Sequence, residues 1–378
     1  MQAVDENEIK RAKFYSIIRS AHIERSAESS DWILYSRTNY DMDPDLLESN
    51  VRVRKVSPWQ LPRFLNDNNI RILEVNEPLM LPAWPVLIPI FLLRLLHPLM
   101  RSRLRVVFYA IENLDPSVNL ARRLHMPLNI SRIITSLACR LAFSATNRVA
   151  FGTQGSMDLY ASILGSYWQR PEILSKVRRI DPLPAPAKVS SHNKVPGSVL
   201  YLGDLSSRKG ITRLMTGWDK LPKGHGLTLR VIGIGEELDK VTGWAAGKPE
   251  VSLLVDPSRS VIHETLATSE TLVLLSSTSL IWREQIGLPL LEGWSYGCNL
   301  ISTDATGIAD LLRRSGHAVL PEDFSDDMLI AALTGSIAPR RPAQLIQQAL
   351  PAVDGRRAAD EWLGDISEPA SDISRNTN

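Results

Sequence analysis

The chain has 378 residues, 44% of them hydrophobic, and a formal net charge of +2 from 43 Lys and Arg against 41 Asp and Glu. That length accommodates two domains of ordinary size, each with its own core. The balanced charge excludes the electrostatic footprint of a nucleic-acid binder, and no Cys/His cluster has metal-ligand spacing.

The first residues, Met1-Gln-Ala-Val-Asp-Glu-Asn-Glu8, are acidic and contain no apolar stretch, so no secretory signal is expected. Strand-like apolar runs follow at Phe14–Arg19, Trp32–Ser36, Val51–Val56, Ile70–Val75, Val106–Ile111 and Arg148–Gly152. Helical patterns at Pro58–Asn66, Ser131–Ala145 and Ser156–Leu164 alternate with them, as in parallel α/β packing.

Leu79–Leu93 is apolar apart from Pro82, Pro85 and Pro89; Arg94, His97, Arg101, Arg103 and Arg105 come next. The run is shorter than the roughly 20 residues a transmembrane helix needs. Its prolines argue against a regular helix through its first half. It reads either as peripheral membrane contact through residues 79–105 or as a helix packed between a sheet and its neighbours.

Asp181-Pro-Leu-Pro-Ala-Pro-Ala187, with prolines at alternate positions, predicts an extended linker. The alternation then restarts, with strands at Val199–Gly203, Leu227–Ile232, Val251–Val255, Thr271–Ser276, Leu300–Ser302 and Ala318–Leu320. The expected organisation is residues 1–185, residues 186–355 and a partly disordered tail over 356–378, polar after Asp365. Two doubly wound parallel-sheet domains would face a central cleft, with ligands at the carboxyl ends of the strands. Cys139 and Cys298 lie far apart inside apolar segments. They read as buried free thiols and suggest a reducing, cytoplasmic compartment.

The most informative stretch is Arg283-Glu-Gln-Ile-Gly-Leu-Pro-Leu-Leu-Glu292, between two apolar strands. Glu284 should stand in a loop and Glu292 in a helix opening near Pro289. A helix N-terminus suits phosphate, and carboxylates on either side suit hydroxyls. A sugar nucleotide has that layout: sugar, diphosphate, ribose.

Before that stretch, the first strand of the second half runs into Gly203-Asp-Leu-Ser-Ser-Arg-Lys-Gly210, and the next ends in Gly233-Ile-Gly235. The glycines suit close approach of a ligand to the backbone. Lys209 and Arg208 suit phosphate. After it come Tyr296-Gly-Cys-Asn-Leu-Ile-Ser-Thr303 and Gly307-Ile308.

In this order, the pieces from Val199 to Leu320 resemble the nucleotide-sugar domain of the retaining family 4 glycosyltransferases (glycosyl transferases group 1). That family has the GT-B fold of two Rossmann-like domains and two Glu with seven residues between them around Gly-[Leu/Ile]-Pro. The resemblance implies that Glu292 binds the donor ribose and Glu284 the transferred sugar. N–H groups from Ile286, Gly287, Leu288 and Leu290 (Pro289 has none) would face sugar and diphosphate. Lys209 would neutralise the leaving diphosphate without a metal, and backbone around Leu254–Pro257 would hold the base. Gly203 and Gly235 would line the donor site.

The family usually carries Arg after its first Gly; here Asp204 stands there, and Arg208 is the candidate substitute. In the first half the glycine-rich loop of the family is absent, replaced by Ser20-Ala-His22-Ile-Glu24-Arg25. Glu112 ends a strand where the family often has His and is a candidate polar contact to sugar or acceptor. His22 and His97 are weaker candidates, and Gly152-Thr153-Gln154 should line the cleft.

The resemblance implies transfer of a sugar from a nucleotide-diphosphate donor to a glycan or lipid-linked acceptor, with retention, in polysaccharide or glycoconjugate biosynthesis. It implies no cofactor. The location would be cytoplasmic, with possible peripheral contact on the inner face of the membrane. Two other readings stay open: a non-catalytic GT-B partner subunit of a glycan-assembly complex, and a GT-B sugar-nucleotide epimerase.

Overall fold

The computed structural model describes residues 10–25, 31–39, 42, 44–49, 52–96, 103–188 and 193–365. They form two α/β units, one running to Ile180 and including the residues from Ala359, the other spanning Asp181–Ala358.

The first unit holds a seven-stranded sheet: β1 (Arg11–Ile18), β2 (Trp32–Thr38), β3 (Val53–Lys55), β4 (Ile72–Val75), β5 (Arg105–Ala110), β6 (Arg148–Phe151) and β7 (Val177–Arg179). Their order is β3-β2-β1-β4-β5-β6-β7, and neighbouring strands pair parallel. Apolar runs such as Ile72–Val75 are buried throughout, as expected for strands covered on both faces. β7 is not legible as an apolar run: two of its three residues are exposed arginines.

The helices used below are α1 (Trp84–Leu96), α2 (Ser117–Leu124), α3 (Leu128–Ala145), α4 (Gln154–Leu164), α5 (Ile211–Asp219), α6 (Arg259–Thr268), α7 (Leu288–Ser295) and α8 (Gly355–Gly364). The prolines argue against a regular helix through the first half of Leu79–Leu93, but α1 is helical from Trp84 with Pro89 inside and packs into the core, as the packed-helix alternative expects. An interior proline costs about 3 kcal/mol. Val86, Leu87, Ile90 and Phe91 enter the core on the same helix, and each buried side chain contributes about 1.5–3 kcal/mol. The burial outweighs the proline.

Arg94 is buried too and donates to Asn147 Oδ1 at 2.7 Å. Arg105 lies on β5 and donates to the Asp365 carbonyl at 3.0 Å. His97 and Arg101 are outside the described residues. No helix among the described residues is long and apolar enough to cross a membrane.

The second unit has β8 (Val195–Leu202), β9 (Thr228–Ile232), β10 (Val251–Leu254), β11 (Ser269–Val273), β12 (Asn299–Thr303) and β13 (Ala318–Leu320), ordered β10-β9-β8-β11-β12-β13 and again parallel. Between the units the chain passes at Ile180/Asp181, ahead of the expected 185/186. The Pro-rich segment stays with the second unit because the Gly355 N–H donates to the Leu183 carbonyl at 2.8 Å.

The start of the expected tail is helical: α8 returns to the first unit and buries Ala359 and Leu363 against Ile72, Val107 and Ala150. Lys13 Nζ donates to Asp360 at 2.7 Å, fixing that return. Residues 366–378 lie outside the described residues.

Candidate active site

In both sheets the strand order reverses next to the first strand of the unit, at β1/β4 and at β8/β11. Such switch points leave a crevice at the carboxyl ends of the strands, because the following connections run to opposite faces. The segment after β8 carries Lys209, and the segment after β11 carries Glu284. The switch therefore brings together two side chains that are 75 positions apart.

Lys209 Nζ forms an ion pair with Glu284 Oε2. Ser276 Oγ donates to the same oxygen at 3.0 Å, and the Glu284 carbonyl accepts from the Gly307 N–H at 3.0 Å. Glu284 is buried, and the Lys209 ammonium stands 5.2 Å from the centre of the Trp282 ring. A positive charge over an indole face is favourable, so Trp282 and Glu284 hold Lys209 from two sides.

Gly210 starts the helix that follows. Its φ is +78°, and a Cβ there would lie 2.1 Å from the Leu275 carbonyl oxygen. Glycine thus lets the Lys209 loop sit against the strand leading to Glu284. Gly210→Ala should lower unfolding free energy by roughly 2 kcal/mol or more, from left-handed strain plus the clash. A urea midpoint unchanged from wild type would contradict that packing argument.

Glu292 lies on α7, as expected, and its Oε1 accepts from Arg259 at the start of α6, at 2.9 Å. Gly287 caps α7 with φ +79°. Among the described residues, the N–H groups of Ile286, Gly287 and Leu288 have no acceptor, whereas those of Leu290 and Leu291 are taken by the Gly287 carbonyl. Leu290 is therefore not an open donor. Ile286 is held from its other side by Thr306 Oγ1, which donates to its carbonyl at 2.9 Å. Pro289 sits in the first turn, where its missing N–H costs nothing.

Gly203, Gly233 and Gly235 serve contact between two loops. A Cβ on Gly233 would meet the Gly203 carbonyl oxygen at 1.9 Å, and one on Gly235 would meet Leu205 backbone at 2.5 Å. The Leu205 N–H donates to the Ile234 carbonyl at 2.8 Å. Arg208 does not stand as a free second cation: it pairs with Asp204 at 2.7 Å and lies over Trp282 at 4.8 Å.

In the first unit the expected residues have other partners. Glu112 follows β5, and its carboxylate accepts from its neighbours Asn113 N–H and Leu114 N–H, both at 3.1 Å. His22 stacks on Tyr15 with ring centres 4.0 Å apart. Thr153 is buried and caps α4, its Oγ1 accepting from the Ser156 N–H at 3.0 Å.

Glu77, just past β4, was not singled out by spacing. It accepts from Ile111 N–H and Glu112 N–H, both at 3.0 Å, and from Tyr160 OH at 3.0 Å. Burial, reinforced by the Glu112 charge, pushes its carboxyl up from 4.5 to about 8. The only hint in the sequence is a Glu directly after an apolar strand. Arg259, Trp282, Ser276 and Thr306 were also missed. Their roles depend on which loops the sheet brings together.

Residues 187–349 match the protein family described as Glycosyl transferases group 1. No match is found among curated proteins. Among solved structures, Alr3699/HepE of Anabaena in complex with UDP and glucose is 15% identical, with a TM-score of 0.61 over 94% of this chain and 99% of that one. The lipopolysaccharide outer core galactosyltransferase WaaB is 13% identical, with a TM-score of 0.62 over 93% and 98%. WaaG, a glycosyltransferase involved in lipopolysaccharide biosynthesis, is 14% identical, with a TM-score of 0.58 over 94% and 100%. The fold is GT-B, with two Rossmann-like parallel-sheet units.

Proposed function

We propose that this protein is a glycosyltransferase that moves a sugar from a nucleotide-diphosphate donor to a glycan or lipid-linked acceptor with retention of configuration. The observation that carries this reading is the Lys209–Glu284 pair at the β8/β11 switch point, beside the open N–H groups of Ile286–Leu288. The family match over the same unit supports it. The UDP-glucose complex of the similar HepE makes a UDP-sugar the first donor to try.

In this reading, bond cleavage moves negative charge onto the diphosphate, where Lys209 and the helix N–H groups stabilise it. No metal is invoked. Glu284 accepts from hydroxyls of the transferred sugar, and Glu292 accepts from the ribose. Arg259 already occupies one Glu292 oxygen, so ribose would share that carboxylate rather than replace the arginine. The turn after β10 would hold the base. A place in polysaccharide or glycoconjugate assembly follows from the acceptor class.

Titration of a nucleotide-sugar panel by calorimetry tests the reading, in wild type and Glu292→Ala. One donor should bind, and the variant should lose about tenfold or more, the worth of a charge-assisted bond to a hydroxyl pair. A second reading, a non-catalytic partner subunit, is favoured by the Asp204–Arg208 pair, which neutralises the second cation. It predicts no binding of any donor in the panel.

A further inference from the structure

α6 and α7 are joined side by side by two polar contacts in register. Arg259, at the start of α6, donates to Glu292 Oε1 on α7 at 2.9 Å. One turn further along, Tyr296 OH and His263 Nδ1 stand 2.8 Å apart, with their ring centres separated by 5.8 Å. From the first contact to the second, the chain advances from 259 to 263 on one side and from 292 to 296 on the other. That spacing returns side chains to one helix face, so the contacts form two rungs between the same pair of faces.

The two helices carry different parts of the proposed donor site. The turn between β10 and α6, which would hold the base, runs directly into Arg259. Asp256 in that turn has φ +45°, a left-handed geometry uncommon in a residue with a side chain. Glu292 on α7 is the carboxylate for the ribose. By itself, a glutamate on a helix surface rotates freely and has no fixed reach. Arg259 takes Oε1, and Oε2 has no partner among the described residues. The planar guanidinium orients a carboxylate better than a point charge does. With side chains 52% and 32% exposed, the pair contributes little to stability. Its consequence is geometric: it ties the ribose carboxylate to the residue that follows the base turn.

We propose that Arg259 is a positioning residue that sets the selectivity of the donor site for ribose. By holding Oε1 it presents Glu292 Oε2 to the ribose hydroxyls, and the His263–Tyr296 rung keeps that oxygen at a constant distance from the base turn. The ligand class is a ribonucleoside diphosphate. A sugar without the hydroxyls leaves Oε2 unpaired and gains nothing from the arrangement. Arg259 acts through Glu292 and touches no ligand. A guanidinium bound to base or phosphate would instead weaken every nucleotide alike when removed. The inference rests on the donor reading of the same unit.

The test is calorimetric titration of the full chain with the diphosphates of uridine, guanosine and adenosine, and with their 2′,3′-dideoxy counterparts. For the nucleotide that binds, wild type should prefer the ribo form about tenfold or more. Arg259→Gln should remove most of that preference by weakening the ribo form while the dideoxy form binds as before. Arg259→Lys should restore part of it, since an ammonium reaches the same oxygen without the fork. With Glu292→Ala already in place, Arg259→Gln should change nothing further, because the two residues act through one contact. Arg259 is half-exposed, so circular dichroism of its variants should match wild type. An unchanged preference in Arg259→Gln, or equal loss of the ribo and dideoxy forms, overturns the inference and leaves the donor reading standing. No binding of any of these diphosphates to wild type overturns the donor reading and the inference with it.

Discussion

Lys209→Met should lower kcat for sugar transfer on the order of 10²–10³-fold, the usual loss when one fixed donor to a developing negative charge is removed. Methionine keeps much of the stem that lies near Trp282 but has no charge. The substitution also takes the ammonium from the buried Glu284 carboxylate, which accepts from Ser276 Oγ at 3.0 Å. Loss of the ion pair should therefore cost roughly 1–3 kcal/mol of stability as well.

The two effects are separable. Lys209→Met with Glu284→Gln removes the buried carboxylate that has lost its ammonium, so the urea midpoint should recover part of the way while activity stays low. Initial rates against donor concentration decide the catalytic part. If KM rises and kcat is untouched, Lys209 contributes only uniform donor binding. Unchanged rates would remove Lys209 from the reaction.

Glu77→Gln should flatten the dependence of stability on pH. A carboxyl raised from 4.5 to about 8 on folding binds its proton more tightly in the native state. Unfolding then releases a proton between those values, and stability falls as pH rises through the window. Above pH 8 the loss integrates to ~5 kcal/mol, large against the 5–15 kcal/mol total of an ordinary domain. Three donors point at this side chain and favour its charged form, but burial and Glu112 outweigh them.

Gln keeps the acceptor for Ile111 and Glu112 N–H and removes the titration. Wild type should lose melting temperature from pH 5 to pH 8.5 while Glu77→Gln stays nearly level. Parallel curves for the two proteins would show that Glu77 titrates at its ordinary value. Because Glu77 holds the backbone that carries Glu112, the alkaline loss should begin in the segment 111–114, as faster amide exchange there.

The placement of Glu284 and Glu292 around the turn is local and was therefore legible. The Gly-Leu-Pro turn dictates where a helix can open, and the seven-residue spacing puts Glu284 before it and Glu292 within it. Strand runs such as Ala318–Leu320 are apolar because both faces of a parallel sheet are covered. Arg208 has a local partner that the sequence also shows: Asp204 stands four residues earlier and pairs with it.

What sequence alone determined is the succession of elements, the two-unit α/β class and the glutamate pair with its turn, because each depends on residues within about ten positions of one another. What only the tertiary structure decided depends on which strands become neighbours and which faces they cover. Strand order joined Lys209 to Glu284, buried Glu77 under Tyr160, carried α8 back to the first sheet and drew α1 into the core despite Pro89. Periodicity reports that a helix has an apolar stripe, but the hydroxyl contacts of Ser117, Ser131 and Thr135, which hold the polar side of α3 against α2, appear only in the packed structure.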